Sequence, residues 1–140
     1  MSDQIFFDTN VIVYLYSNNE IDKKNIVESI LENNANPAIS TQVINEFVYV
    51  MHRKRKVSYQ DLKIAVKELS ASFTIFDINL STINAAIKIA EKYQYSYFDS
   101  LIIACAIENN CDVLYTEDLQ NTQIIENVLE IRNPFIEIKS

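Results

Sequence analysis

Apolar and polar positions along the chain fall into two kinds of block that take turns. Short apolar runs read as buried strands: Ile5–Phe7, Pro37–Ile39, Phe73–Phe76, Val113–Tyr115 and Val128–Ile131. Longer stretches with helical spacing lie between them. Asp8-Thr9-Asn10 is helix-starting chemistry, and Val11–Tyr16 continues it as an apolar helix. Further helices are expected from Asp22 to about Asn33, and from a Ser40 or Thr41 cap to about Lys54. Three more run from the Ser58-Tyr59-Gln60-Asp61 capping box to about Ser70, from Ser81 to about Tyr93, and over Phe98–Asn109. Strands alternating with helices predict an α/β fold, three layers with a central, mainly parallel sheet. In such sheets ligands bind beyond the carboxyl ends of the strands.

That rule gives the acidic residues a place. Asp8 closes the first strand and Asp118 lies just past Tyr115, so both are expected on the carboxyl edge. Asp99 interrupts the apolar and aromatic stretch Tyr93–Ile103. Glu46 sits among Val43, Ile44, Phe47 and Val48, and its helical neighbours Val43 and Val50 point it inward. Taken singly, Asp8 reads as a helix cap, Asp99 as a cap of its own helix, Glu46 as a solvated helix residue and Asp118 as a turn. Together at strand ends they are harder to dismiss. No basic partner lies near Asp8, Asp99 or Asp118 in the sequence, and buried carboxylates need a partner. A divalent cation is the simplest one, and an all-oxygen site favours Mg²⁺ or Mn²⁺.

Composition narrows the field. The 140 residues are 49% hydrophobic and suit a single domain over residues 1–140. No window approaches a membrane span, and the N-terminus lacks the basic region of a signal peptide, so a cytoplasmic protein is expected. Cys105 and Cys111 are six apart and read as small core residues. The net charge of −7 disfavours generic nucleic-acid binding, since phosphate contacts come mostly from Lys and Arg. The chain has no glycine, which excludes glycine-rich phosphate loops and leaves turns to Asn. One dense basic run, His52-Arg53-Lys54-Arg55-Lys56, reads most simply as a solvated helix C-terminus and alternatively as a backbone contact for nucleic acid. Tyr14, Tyr16, Phe47, Tyr49 and Tyr59 read as core or interface before stacking platforms.

The pieces Phe6-Phe7-Asp8-Thr9-Asn10, Ser40-Thr41 with Glu46, Tyr97 to Ala104 and Leu114 to Leu119 resemble the PIN-domain family, specifically VapC-type toxins of toxin–antitoxin pairs. The run Ile131 to Phe135 is similar to that family's last strand. By this resemblance Asp8, Glu46, Asp99 and Asp118 are the catalytic, metal-holding acids, with Asp8 and Asp99 the main ligands. Thr9, Asn10 and Thr116 support them, and Glu117 is a possible auxiliary. The resemblance implies a Mg²⁺-dependent (or Mn²⁺-dependent) endoribonuclease, an RNA substrate, a cognate antitoxin and a homodimer. Gln94 and Asn121 stand where the family commonly has glycine.

Other readings remain at this point. A housekeeping PIN nuclease without an antitoxin and a non-catalytic acidic interaction module are both open. A haloacid-dehalogenase-type domain would want Asp where Asn10 stands, and a phosphoreceiver would want a lysine where Thr116 and Glu117 stand.

Overall fold

The computed structural model describes residues 4–34 and 36–136; the expected domain limits, 1 and 140, lie outside them. The elements follow in the order β1 (Ile5–Phe7), α1 (Thr9–Tyr14), α2 (Ile21–Glu32), β2 (Pro37–Ser40), α3 (Thr41–Arg53) and α4 (Tyr59–Ser72). Then come β3 (Thr74–Phe76), α5 (Leu80–Tyr93), α6 (Tyr97–Glu108), β4 (Val113–Tyr115), β5 (Ile124–Ile125) and β6 (Leu129–Arg132). Six strands form one sheet in the order β3-β2-β1-β4-β6-β5, parallel throughout except for β5.

The winding decides where the helices go. From β1 through β2 to β3 the chain steps one way, and from β3 to β4 it steps back past β1. Right-handed crossovers then put α1–α4 on one face and α5–α6 on the other. The reversal falls between β1 and β4, which pair in register with Phe7 opposite Tyr115. Open α/β sheets bind ligands at such a switch point. A continuous core fills both faces, with Phe6, Phe7, Ile12, Ile39, Phe47, Ile103, Leu114 and Ile131 fully buried. Helix α6 is buried nearly all round over Ser100–Ala106, as its unbroken apolar run requires.

The structure corrects several expected boundaries. Past Tyr14, the N–H groups of Leu15, Tyr16 and Ser17 donate to carbonyls three residues back, so α1 tightens and stops. Asn79 rather than Ser81 caps α5, through a capping box with Thr82. Ser96 caps α6, which starts at Tyr97. Strand β5 is an addition. Three residues, Glu126 to Val128, join it to β6; the Val128 N–H donates to Ile125 O at 3.0 Å, closing a turn in which Glu126 and Asn127 have φ values of 52° and 59°. That turn is normally signalled by glycine, which this chain lacks.

Asn fills only part of the left-handed positions. Lys56, Gln94, Asn110, Thr122, Glu126 and Asn127 have positive φ, and only two of these are Asn. Asn33, Asn34 and Asn109 act through their side chains, each amide donating to a carbonyl one turn back at 2.7–2.9 Å. Among the described residues no helix is long and apolar enough to cross a membrane.

Candidate active site

Asp8 is the residue at which β1 ends and α1 begins. Its own N–H donates to Tyr115 O at 2.9 Å, carrying the β1–β4 ladder one step further. Its Oδ1 accepts the Thr9 N–H at 2.7 Å, making it the cap of α1. Its Oδ2 accepts the hydroxyl of buried Thr116 at 2.8 Å. Thr116 in turn accepts the backbone N–H of Asp118 at 3.2 Å, so one hydroxyl ties both strand ends together.

Asp8 is only 7% exposed. Burial raises its pKa to about 6; the Thr116 and Thr9 donors pull it down, and the negative charges of Asp99 and Asp118 push it up. Among the described residues no ion pair involves this carboxylate.

The other three acids reach the same place from different elements. Glu46, half-buried in α3, accepts the Thr9 hydroxyl at 2.8 Å. Gln42, one turn earlier, reaches Glu46 at 3.5 Å and donates to Phe98 O at 3.2 Å, which ties α3 to the start of α6. Asp99, the third residue of α6, gives its N–H to Ser96 Oγ at 3.2 Å. Ser96 therefore does the capping that Asp99 taken alone was expected to do. Asp118 is exposed, and its Oδ2 accepts the Asn10 side-chain amide at 2.7 Å. Asp8, Glu46, Asp99 and Asp118, with Thr9 and Asn10, line one cavity of about 340 Å³.

The donors suit a hard cation in kind, since all are oxygens. Among the described residues Asn10 Oδ1 and Gln42 Oε1 are buried with no hydrogen-bond partner. Among the described residues, however, no three Asp, Glu, His or Cys side chains are gathered closely enough to hold one ion by themselves. The arrangement is an acidic cleft with separately tethered carboxylates. It fits an ion that keeps several of its waters, as Mg²⁺ does.

Basic side chains distant in sequence from Asp8, Asp99 and Asp118 reach the cavity in space. Lys54 and Arg55, both exposed at the solvated end of the run, also line the acidic cavity. Among the described residues neither forms an ion pair. The spacing held the signal, because Glu46, Val50 and Lys54 recur every fourth residue along α3. Gln42 was missed for the same reason, one turn before Glu46. Glu117 does not line the cavity; it pairs with Lys23 at 3.1 Å and accepts the hydroxyl of Tyr14, which does. Cys105 and Cys111 are buried and unlinked, and burial pushes both thiols up to about 12.

Fold and cleft together define a parallel α/β domain with an acidic cavity at its switch point. The family model described as PIN domain matches residues 5–124, and the chain belongs to that family. None of the curated protein sequences matches it. Among solved structures it is similar to a toxin–antitoxin complex from Klebsiella pneumoniae, at 23% identity and a TM-score of 0.71 over 94% of this chain and 98% of that one. The sarcin–ricin-loop-cleaving toxin VapC20 of Mycobacterium tuberculosis is 16% identical, with a TM-score of 0.69 over 82% of this chain and 92% of that one. VapBC2 of Rickettsia felis, solved on a promoter DNA fragment, is 24% identical, with a TM-score of 0.64 over 92% of this chain and 98% of that one. The neighbours are thus VapC-type toxins and toxin–antitoxin complexes, and at these identities what they share with this chain is the fold.

Proposed function

We propose that this chain is a divalent-metal-dependent endoribonuclease, the toxin of a toxin–antitoxin pair, and that it hydrolyses RNA phosphodiester bonds in the acidic cavity. One observation carries the reading: Asp8, Glu46, Asp99 and Asp118 line a single cavity at the carboxyl edge of the sheet. Among the described residues none of the four is in an ion pair. Membership of the PIN family supports a nuclease, and the toxins named above support an antitoxin partner and RNA as substrate.

Asp8 and Asp99 are assigned as the main metal ligands, with Glu46 and Asp118 acting through water or as a base. Bound Mg²⁺, or Mn²⁺, would neutralise the scissile phosphate and lower the pKa of a bound water. The chain's own groups do the positioning. Thr116 and the Thr9 N–H hold both oxygens of Asp8 and favour its charged form. The Thr9 hydroxyl steadies Glu46, and the Asn10 amide steadies Asp118. Lys54 and Arg55 at the cavity offer positive charge to a polyanion whose entry the carboxylates oppose. A cytoplasmic homodimer completes the reading.

The rival is a non-catalytic acidic interaction module, favoured by the absence, among the described residues, of a preassembled three-ligand cage. Purified protein incubated with RNA, in Mg²⁺ and in EDTA, separates the two. Cleavage in Mg²⁺, silenced by EDTA and by Asp99→Asn, is expected. Full activity in Asp99→Asn refutes the site, and wild-type protein that neither binds Mg²⁺ nor cuts RNA is the module.

A further inference from the structure

A second groove lies beside the acidic cavity rather than in it. It measures about 790 Å³ and is lined by Asn45, Tyr49, His52, Arg53, Lys56 and Tyr59 among others, with no carboxylate in its wall. In an acidic chain this is a local inversion of charge. Its aromatic rings stand in water, Tyr49 at 60% exposure and Tyr59 at 64%. The rings are also prearranged. His52 stacks on Tyr59 with centroids 3.9 Å apart and planes 16° from parallel. The His52 ring is held by its Nδ1, 2.9 Å from Val57 O; a carbonyl only accepts, so Nδ1 carries the hydrogen. The Arg53 guanidinium lies 5.9 Å from the Tyr49 ring centre.

Helix periodicity makes groove and cavity neighbours. Glu46, Val50 and Lys54 form one stripe of α3 and face the cavity; Asn45, Tyr49 and Arg53, one residue earlier, form the next stripe and face the groove. The run Arg53 to Lys56 is shared out between them. Lys54 and Arg55 line the cavity, while Arg53 and Lys56 line the groove. The result is a positive ridge between an acidic cleft and an aromatic trough.

We infer that this groove is a subsite for single-stranded RNA flanking the scissile phosphate, with Tyr49 and Tyr59 stacking bases and Arg53 and Lys56 contacting phosphates. The inference rests on the ribonuclease reading of the acidic cavity. Aromatic faces beside cations are what sequence-tolerant single-strand binding requires. A peptide is the other conceivable occupant, but one basic enough to suit the four carboxylates would meet Arg53 and Lys56 with like charge. RNA satisfies both the ridge and the trough.

The test is anisotropy of a short labelled single-stranded RNA, with Ca²⁺ in place of Mg²⁺ in the acidic site. Tyr49→Leu and Tyr59→Leu should each weaken binding about tenfold, whereas Tyr59→Phe should not. Replacing Arg53 and Lys56 by Ala should flatten the slope of log affinity against log salt by about 1.4. An oligonucleotide of abasic residues should bind wild type and Leu variants alike. Both tyrosines are exposed, so these variants keep the fold, which circular dichroism checks.

Leu variants that bind RNA as tightly as wild type overturn the inference, as does a Tyr59→Phe variant that loses as much as Tyr59→Leu. Unchanged RNA affinity with lost binding of an antitoxin peptide assigns the groove to a protein and likewise overturns it. The two readings fail separately. If wild type cleaves RNA and the Leu variants keep its KM, only the groove falls. Tyrosine-dependent RNA binding without any Mg²⁺-dependent cleavage leaves the groove and removes the nuclease.

Discussion

The Thr116 hydroxyl donates to Asp8 Oδ2 across 2.8 Å, joining the residue after β4 to the residue after β1. That bond opposes the desolvation of a carboxylate already raised to about 6. Thr116→Val removes the donor while keeping the shape. A hydrogen bond to a charged acceptor is worth about 1.5–3 kcal/mol, so the acidic limb of the pH–rate profile should move up by about one to two pH units. Thr116→Ser should restore it. A profile that does not move in the Val variant removes Thr116 from the chemistry.

Stability should show the same group with a definite sign. Asp8 has a folded pKa of about 6 against 3.8 for the free group. Below the lower value both states are protonated and the fold carries no penalty. As pH rises through the window, the unfolded chain releases its proton first, and above about 6 the folded chain holds a buried charge at a cost of about 3 kcal/mol. Asp8→Asn should therefore be more stable than wild type above that pH by up to about that amount, and little different near pH 4. Urea unfolding at two pH values measures the crossover.

Asn10 holds Asp118 through its amide at 2.7 Å and leaves its carbonyl oxygen buried without a partner. Asn10→Asp turns a donor into a second carboxylate against Asp118. Melting should fall by roughly 3 °C or more in EDTA and recover on adding Mg²⁺. A variant that melts alike in both media indicates that no cation is taken up beside Asp118.

Glu117 is paired with Lys23 and Tyr14 and does not itself line the cavity. Glu117→Gln should leave RNA cleavage near the wild-type rate and cost about 1 kcal/mol or less of stability. Loss of cleavage would bring Glu117 into the acidic set after all.

Gln94 ends α5 with φ 60° and ψ 33°, the left-handed conformation that disfavours a side chain. Gln94→Gly should stabilise the protein by about 1 kcal/mol, read from thermal or urea unfolding. Gly adds backbone freedom to the unfolded chain, so an unchanged midpoint would mean that this entropy cancels the relief of strain.

Much of the architecture was legible because its causes are local. Three-residue apolar runs such as Ile5–Phe7 and Val113–Tyr115 can only be buried strands between helical patterns, and the structure has both at those limits. What was illegible depends on partners distant in sequence. Strand β5 is two residues long and exists only because β6 pairs with it. The cap of α6 is a local exception, since Ser96 accepts the N–H of Asp99 only three residues on.

The acidic residues divide in the same way. By itself the sequence determined that Asp8 and Asp118 follow strands that end on one edge, and that Glu46 and Asp99 interrupt apolar helical stretches. Those are facts of order and spacing. Only the tertiary structure decided that all four line one cavity, that Asp8 alone among them is buried, and that Glu117 does not line it. It also brought Lys54 and Arg55 to the rim. Burial and charge proximity are properties of through-space distance. The side chain of Asp8 meets that of Thr116 across 108 positions of sequence only once β1 and β4 are hydrogen-bonded in register.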